Sequence, residues 1–313
     1  MLYSVVIPVY NEEANIGILY HRMSGVMAAL SDAFELIFIN DGSRDKTLLL
    51  VKELAQSDGR VRYIDLSRNF GHQIAVSAGL DACRGDRIII IDADLQDPPE
   101  LIAEMDARMN EGFQVVYARR RKRKGESVAK LWTARMFYRL LAKIASVEIP
   151  LDTGDFRIMD KKVVDVLRSM PEQNKFLRGQ ISWIGFRQTY VEYDRSERQG
   201  GKTGYTYAKM LRFALDGITS FSDAPLRLAS WMGFVVSGVA FIALVYALYG
   251  KFISHDSEPG WASLIVSVLF LGGIQLISLG FIGEYLSRIS SNVKQRPLYV
   301  VAESNLEGNQ KNQ

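Results

Sequence analysis

The chain has 313 residues, room for one large domain or two modest ones, and a formal net charge of +3 that by itself points to no class of partner. Hydrophobic residues make up 48% and charged residues 23%, but that average hides a split between a mixed first two-thirds and a last third holding two long uncharged runs. Cys83 is the single cysteine, which excludes an internal disulfide and any cysteine-based metal cluster.

Tyr3 to Pro8 is a short apolar, β-branched run followed by a polar turn at Asn11, Glu12 and Glu13. No N-terminal signal peptide is expected, because Leu2–Tyr10 runs straight into this strand-like segment. The pattern then predicts a helix over Asn15–Leu30, a strand over Phe34–Ile39 ending at Asn40-Asp41-Gly42-Ser43, and a helix over Asp45–Ala55. A strand over Val61–Ile64, a helix over His72–Ala82 and a strand over Arg87–Ile91 follow, the last running directly into Asp92-Ala93-Asp94. Pro98-Pro99-Glu100 opens another helix, where proline suits the first turn, and Phe113–Tyr117 reads as a fifth strand. Continuous apolar strands alternating with helices predict an α/β domain whose mostly parallel sheet is covered on both faces. Ligands bind such sheets at the carboxyl ends of the strands, where Asp41 and the Asp92–Asp94 triplet lie. No G-x-G-x-x-G follows the first strand, which argues against a dinucleotide site.

Arg119 to Lys124 is a run of six cations, open to two readings: a solvated loop, or attraction to anionic headgroups and phosphate esters. Ser127–Val147 is a basic helical stretch with Lys130, Trp132, Arg135, Tyr138, Arg139 and Lys143. It suits either a surface helix on the sheet or an interfacial helix lying on a membrane. No charge occurs over the 23 residues Leu228–Gly250 or the 25 residues Pro259–Gly283, and a spanning helix needs about 20. The eight-residue connector Lys251–Glu258 predicts a transmembrane hairpin, with glycines at 233, 238, 272, 273 and 280 allowing close helix contact. Lys209, Arg212 and Arg227 precede the first span and Arg288, Lys294 and Arg296 follow the second, while the connector carries Lys251 against Asp256 and Glu258. This bias places the N-terminal domain and the C-terminal tail in the cytoplasm of an inner or plasma membrane. Expected boundaries are a catalytic domain over 1–205, a juxtamembrane linker over 206–227, spans over 228–250 and 259–283, and a tail over 284–313. The polar stretch Glu303–Gln313 is expected to be disordered.

Two carboxylates one residue apart at a strand end, Asp92 and Asp94, point the same way and can share one hard cation. Mg²⁺ or Mn²⁺ prefers oxygen ligands and keeps bonds to phosphate oxygens, so it neutralises charge on a leaving diphosphate. Strand-end acids also simply cap the next helix; the neighbouring strand-end acid Asp41 favours the chemical reading here.

Four blocks resemble the family 2 glycosyltransferases of the GT-A fold: Val5–Glu12, Asn40–Asp45, Asn69–His72 and Asp92–Glu100. The block Asp92-Ala93-Asp94-Leu95-Gln96-Asp97-Pro98-Pro99-Glu100 is similar to the polyprenyl-phosphate branch, which includes dolichyl-phosphate mannose synthases and bacterial undecaprenyl-phosphate glucosyltransferases. The resemblance runs from residue 3 to about 205, and the paired spans resemble the bacterial members. It implies that Pro8, Tyr10 and Glu12 line a nucleotide pocket, that Ile39 and Asp41 hold base and ribose, and that Asp92 and Ala93 contact the nucleotide sugar. It further implies that Asp94 and Gln96 hold Mg²⁺ or Mn²⁺, that Arg119 contacts phosphate, and that Arg135 lies near the lipid phosphate. Leu151–Arg157 matches an acceptor-loop motif in which Asp155 faces the reacting centre. Arg198 to Tyr205 resembles a flexible basic lid, but glycine stands at 204 where the pattern has lysine, and Lys202 lies two residues earlier.

The resemblance implies inverting transfer of a hexose from a nucleotide sugar, UDP-glucose by choice, onto undecaprenyl or another polyprenyl phosphate. Mannosyl or aminoarabinosyl donors remain alternatives, as does a non-catalytic nucleotide-binding membrane adaptor. A processive polysaccharide synthase is disfavoured, because neither a Q-x-x-R-W motif nor further spans occur. No nucleic acid partner is expected, and the glycine-bearing spans suit a homo-oligomer.

Overall fold

A computed structural model describes residues 1–121, 153–194, 224–249 and 260–306 of the chain. The first strand β1 (Tyr3–Val9) and its neighbour β2 (Phe34–Asn40) are buried at every position, as their mostly apolar sequences require of strands covered on both faces. The helix α1 (Ile16–Leu30) joins them, and α2 (Thr47–Ser57) leads to β3 (Val61–Leu66). The helix α3 (His72–Ala82) crosses to β4 (Arg87–Ile90), and a single 3₁₀ turn at Pro99–Leu101 precedes α4 (Ile102–Asn110) and β5 (Val115–Arg120).

The remaining described elements of this unit were not legible in the sequence. They are β6 (Thr153–Asp160), α5 (Lys161–Ser169), α6 (Leu177–Ile184), β7 (Gln188–Tyr193) and, beyond the apolar helices, β8 (Val301–Ser304). Together the strands form one eight-stranded sheet in the order β7-β5-β6-β4-β1-β2-β3-β8. β6 inserts between β4 and β5 and runs antiparallel to both, so β4 and β5 still point the same way. This brings the amino end of β6, and Asp155 on it, to the carboxyl ends of its neighbours.

One face of the sheet packs Phe38 and Phe156 against Met23 and Met27 of α1, Val51 of α2 and Met105 of α4. The other packs Val6, Ile39 and Ile64 against Val76 of α3 and Val163 of α5. On that second face α3 lies close to the sheet, because Gly79 presents no side chain. A Cβ there would meet Ile39 Cδ1 at 2.6 Å and also strike Val6 Cγ1. Gly79→Ala is therefore expected to destabilise the domain by about 1–3 kcal/mol, outweighing the roughly 1 kcal/mol that alanine gains in a helix. Thermal unfolding of the detergent-solubilised chain reads this out, and an unchanged or raised Tm would count against such close packing.

The C-terminal segment corrects one expectation. Residues 303–306 belong to an ordered segment: β8 pairs antiparallel with β3, Ile64 facing Ser304 and Asp65 facing Glu303. Four residues with two polar side chains give too weak a pattern to read as a strand, and the pairing that orders them is distant in sequence.

A second compact unit holds α7 (Ala224–Tyr249) and α8 (Trp261–Lys294), which contact one another. Among the described residues Phe270–Lys294 is long and apolar enough to cross a membrane, and Ala229–Ile242 is a shorter apolar stretch. Phe234 and Tyr246 are each 78% exposed, the opposite of a soluble core helix.

Candidate active site

The carboxyl ends of β1, β2, β3 and β4 surround one cleft. It is lined by Pro8, Val9, Tyr10 and Glu12, by Asp41, by Asn69, Gly71, His72 and Ala75, and by Asp92, Ala93 and Asp94. Seven of the residues singled out in the sequence thus meet in one place: Pro8, Tyr10, Glu12, Asp41, Asp92, Ala93 and Asp94.

Local hydrogen bonds shape each wall. Asn11 adopts a left-handed conformation with φ of 55°, which asparagine tolerates better than most residues. Its side-chain oxygen accepts from Arg44 N at 2.8 Å, and its own N–H donates to Ser43 Oγ at 2.9 Å. The loops after β1 and β2 are thereby tied together, and Tyr10 between them is 45% exposed. Asp41 accepts from the backbone N–H groups of Phe70 and Gly71 at 2.7 and 3.0 Å, fixing the loop between β3 and α3. Burial raises its pKa against the pull of these hydrogen bonds. Gly42, at φ of 68°, lets that loop approach: a Cβ there would lie 2.6 Å from the backbone of Arg68 and Asn69.

After β4 the chain turns sharply. Leu95 has φ of 58°, an uncommon conformation for a branched side chain, and Gln96 N donates to Asp94 Oδ1 at 3.1 Å. Asp92 Oδ1 is buried without a hydrogen-bond partner, while His72 Nε2 lies 3.6 Å from it. Burial, and the like charges of Asp155, Asp97 and Asp94, push the Asp92 carboxyl up, with His72 opposing them.

Asp155 is the hub of the site's far side. Its Oδ2 lies 2.9 Å from His72 Nε2 and accepts from Gln73 Nε2 at 3.3 Å. Its Oδ1 accepts from Arg178 Nε at 2.9 Å and lies 3.5 Å from Arg157 Nη2. Burial opposes ionisation, but Arg178, the His72 hydrogen bond and Arg157 outweigh it and hold this carboxyl well below the usual range. In return, although burial works against the charged ring, Asp155 and Asp92 push the His72 imidazole up to about 9. The guanidinium of Arg157 is buried, which lowers it to about 10.

Three residues expected to bind ligand sit differently. The Ile39 side chain is fully buried beneath α3, because strand alternation turns it to the core, and it does not line the cleft. Arg119 pairs with Glu192 at 2.6 Å and lies 4.0 Å over the Tyr190 ring, engaged by β7. Gln96 is buried beyond the turn and does not line the cleft. Arg135, Arg198 and Lys202 lie outside the described residues, as do the stretch 127–147 and the part of the basic run after Arg121.

His72, Gln73, Arg157 and Arg178 join the site without having been singled out for it. His72 closes the block Asn69–His72 and Arg157 closes the acceptor-loop motif Leu151–Arg157, a usable signal. Gln73 and Arg178 carry no local signal, since their partner is 82 and 23 residues away.

The donor set suits a hard cation only in part. Among the described residues no group of three or more acids, histidines or cysteines could hold a metal ion alone. A pair of strand-end carboxylates, one with a buried oxygen lacking a hydrogen bond, instead suits an ion that brings phosphate oxygens as its other ligands.

Residues 4–168, which hold the whole cleft and its Asp155 hub except Arg178, match glycosyl transferase family 2. The chain belongs to that family. Residues 224–289, covering α7 and most of α8, match the GtrB C-terminal hairpin. An uncharacterised glycosyltransferase of Bacillus subtilis, YkcC, is 52% identical over 96% of this chain and 94% of its own. A prophage bactoprenol glucosyl transferase homolog of Escherichia coli is 42% identical over 96% of this chain and 98% of its own. The bactoprenol glucosyl transferase of Shigella phage SfV is 40% identical over the same shares. The protein is therefore a glycosyltransferase with the expected GT-A fold, and the hairpin match with its exposed apolar faces makes it membrane-associated.

Proposed function

We propose that this glycosyltransferase moves glucose from UDP-glucose onto a polyprenyl phosphate, inverting the anomeric configuration. The observation that carries the reading is identity of 40–42% over almost the whole length of proteins named bactoprenol glucosyl transferase, hairpin included. The cleft supports it independently. An exposed aromatic face at Tyr10 suits a nucleobase, and strand-end acids at Asp92 and Asp94 suit a metal-bound diphosphate.

In the reaction, an oxygen of the acceptor phosphate bonds to the anomeric carbon as the bond to the donor diphosphate breaks. The electron pair leaves with the nucleoside diphosphate. Phosphate is already ionised near neutral pH, so no strong general base is required. Asp155 fits that requirement: its oxygens are engaged by His72, Gln73, Arg157 and Arg178, and its part is to orient these groups beside the cleft. Asp94 would hold Mg²⁺ or Mn²⁺ with Asp92 beside it, and the ion when bound neutralises charge on the departing diphosphate. Positioning and fixed charge then supply most of the acceleration.

The cation bias around the apolar helices supports a cytoplasmic site and cytoplasmic termini. Arg135 and the basic run would face the lipid phosphate, with Arg198 and Lys202 closing over the diphosphate. The test is a panel of radiolabelled nucleotide sugars with undecaprenyl phosphate and Mg²⁺ or Mn²⁺, followed by lipid extraction. Label from UDP-glucose should enter the lipid phase as a β-linked product by NMR. Label from no donor, or a retained α-linkage, would overturn the reading.

A further inference from the structure

The segment after α8 returns to the sheet and grips the edge beside the cleft. Val300 O accepts from Ser67 N at 2.9 Å, at the point where β3 becomes the loop to α3. Below it Asn305 brackets the strand, its Oδ1 accepting from Tyr63 N at 2.7 Å and its Nδ2 donating to Val61 O at 3.1 Å. Glu303 is held by Lys52 of α2 at 2.5 Å and by Tyr63 Oη at 2.7 Å. Tyr299 Oη donates to Asp81 of α3 at 2.9 Å. The segment thus touches α2, β3 and α3, the elements on both sides of the loop over residues 67–71.

That loop belongs to the donor cleft. Asn69, Gly71 and His72 line it, and Ser67, Arg68 and Asn69 line a recess next to it with Tyr10 and Arg44. Asp41 fixes the loop's far end through Phe70 and Gly71. Its near end has a different anchor in Val300.

We infer that the C-terminal segment Tyr299–Leu306 is a positioning element of the donor site, holding the loop over residues 67–71 in its nucleotide-binding conformation. The alternative role is merely to cover a sheet edge whose unpaired N–H and C=O groups would invite association. The two roles differ in readout. Edge cover affects stability and solubility but leaves the affinity of folded molecules for nucleotide unchanged. A positioning element changes that affinity, and acceptor use less.

The inference rests on the nucleotide-sugar reading, so UDP binding to the wild-type chain with Mn²⁺ is measured first by calorimetry. No binding there would overturn that reading, and this inference with it. With binding established, three proteins are compared in detergent: the full chain, the chain ended after Leu298, and full-length Asn305→Ala. The expected result is a rise in Kd for UDP of about tenfold on truncation and about threefold for Asn305→Ala, the scale of one or two hydrogen bonds. KM for undecaprenyl phosphate should stay within about twofold. A synthetic peptide of residues 297–313 should restore the truncated chain's affinity by adding back the strand. If truncation prevents folding, Asn305→Ala decides. Unchanged UDP affinity in the folded variants, with only Tm lowered, would overturn the inference in favour of edge cover.

Discussion

Asp155→Ala is expected to abolish sugar transfer and to destabilise the catalytic domain at the same time. The carboxylate answers three cationic side chains, and the Arg157 guanidinium is only 6% exposed at its side chain. Removing one partner of a buried pair leaves an uncompensated charge and costs about 3–5 kcal/mol. Here the lower end applies, because His72 and Arg178 are 41% and 29% exposed and water takes up part of their charge. A loss of about 3 kcal/mol corresponds to a fall in Tm of roughly 6–12 °C for a domain of this size. Asp155→Asn should fall between, since its side-chain oxygen still accepts one hydrogen bond. Circular dichroism melting and lipid-phase transfer measure the two effects. A stable Asp155→Ala protein with full transfer would remove this residue from any central part in the site.

The same carboxylate marks where the sequence stopped being readable. Strands β1, β2 and β4 announce themselves through runs of consecutive apolar residues such as Val5–Ile7, Leu36–Ile39 and Ile88–Ile91, because both of their faces are covered. β6 does not, since Asp155 and Arg157 alternate with the buried Phe156 and Ile158. In isolation that looks like a charged loop. It becomes a buried strand by pairing with β4 and β5, and Arg157 is tolerated there because it donates to the carbonyls of Asp155 and Gly154. His72 and Asp155 are 83 residues apart, a meeting that no local pattern encodes.

The strand-end acids were legible for the converse reason. An acid directly after a buried apolar strand has one place to go in a mostly parallel sheet, so Asp41, Asp92 and Asp94 fell on the cleft from position alone. Position misleads where alternation matters. Ile39 stands two residues before Asp41, yet its side chain faces α3. Arg119 stands beyond the strand expected over Phe113–Tyr117, but β5 continues to Arg120, and β7 alongside it supplies Glu192. β7 carries no strong signal of its own, because its exposed positions interrupt the apolar pattern.

Asp94→Asn is expected to reduce kcat/KM for transfer by about 10²–10³-fold, the scale of losing one preorganised charge interaction at a developing anion. The fold should not change. The turn after β4 uses Asp94 Oδ1 as an acceptor from Gln96 N, and asparagine keeps an oxygen there. Stability within about 0.5 kcal/mol of wild type is therefore expected. This separates loss of charge from loss of shape, which Asp94→Ala would confound by freeing a turn that already holds Leu95 at positive φ. The metal reading adds a second readout. Mn²⁺ titrated into the wild-type chain with UDP should bind, and the Asp94→Asn chain should need a higher concentration to reach the same occupancy. Chelation by EDTA should stop transfer by the wild type, and Mg²⁺ or Mn²⁺ should restore it. A nucleotide-binding adaptor would keep its function in the Asp94→Asn form. Full transfer by Asp94→Asn after EDTA treatment would instead place the neutralising charge on protein cations such as His72, whose Nε2 lies 3.6 Å from Asp92 Oδ1.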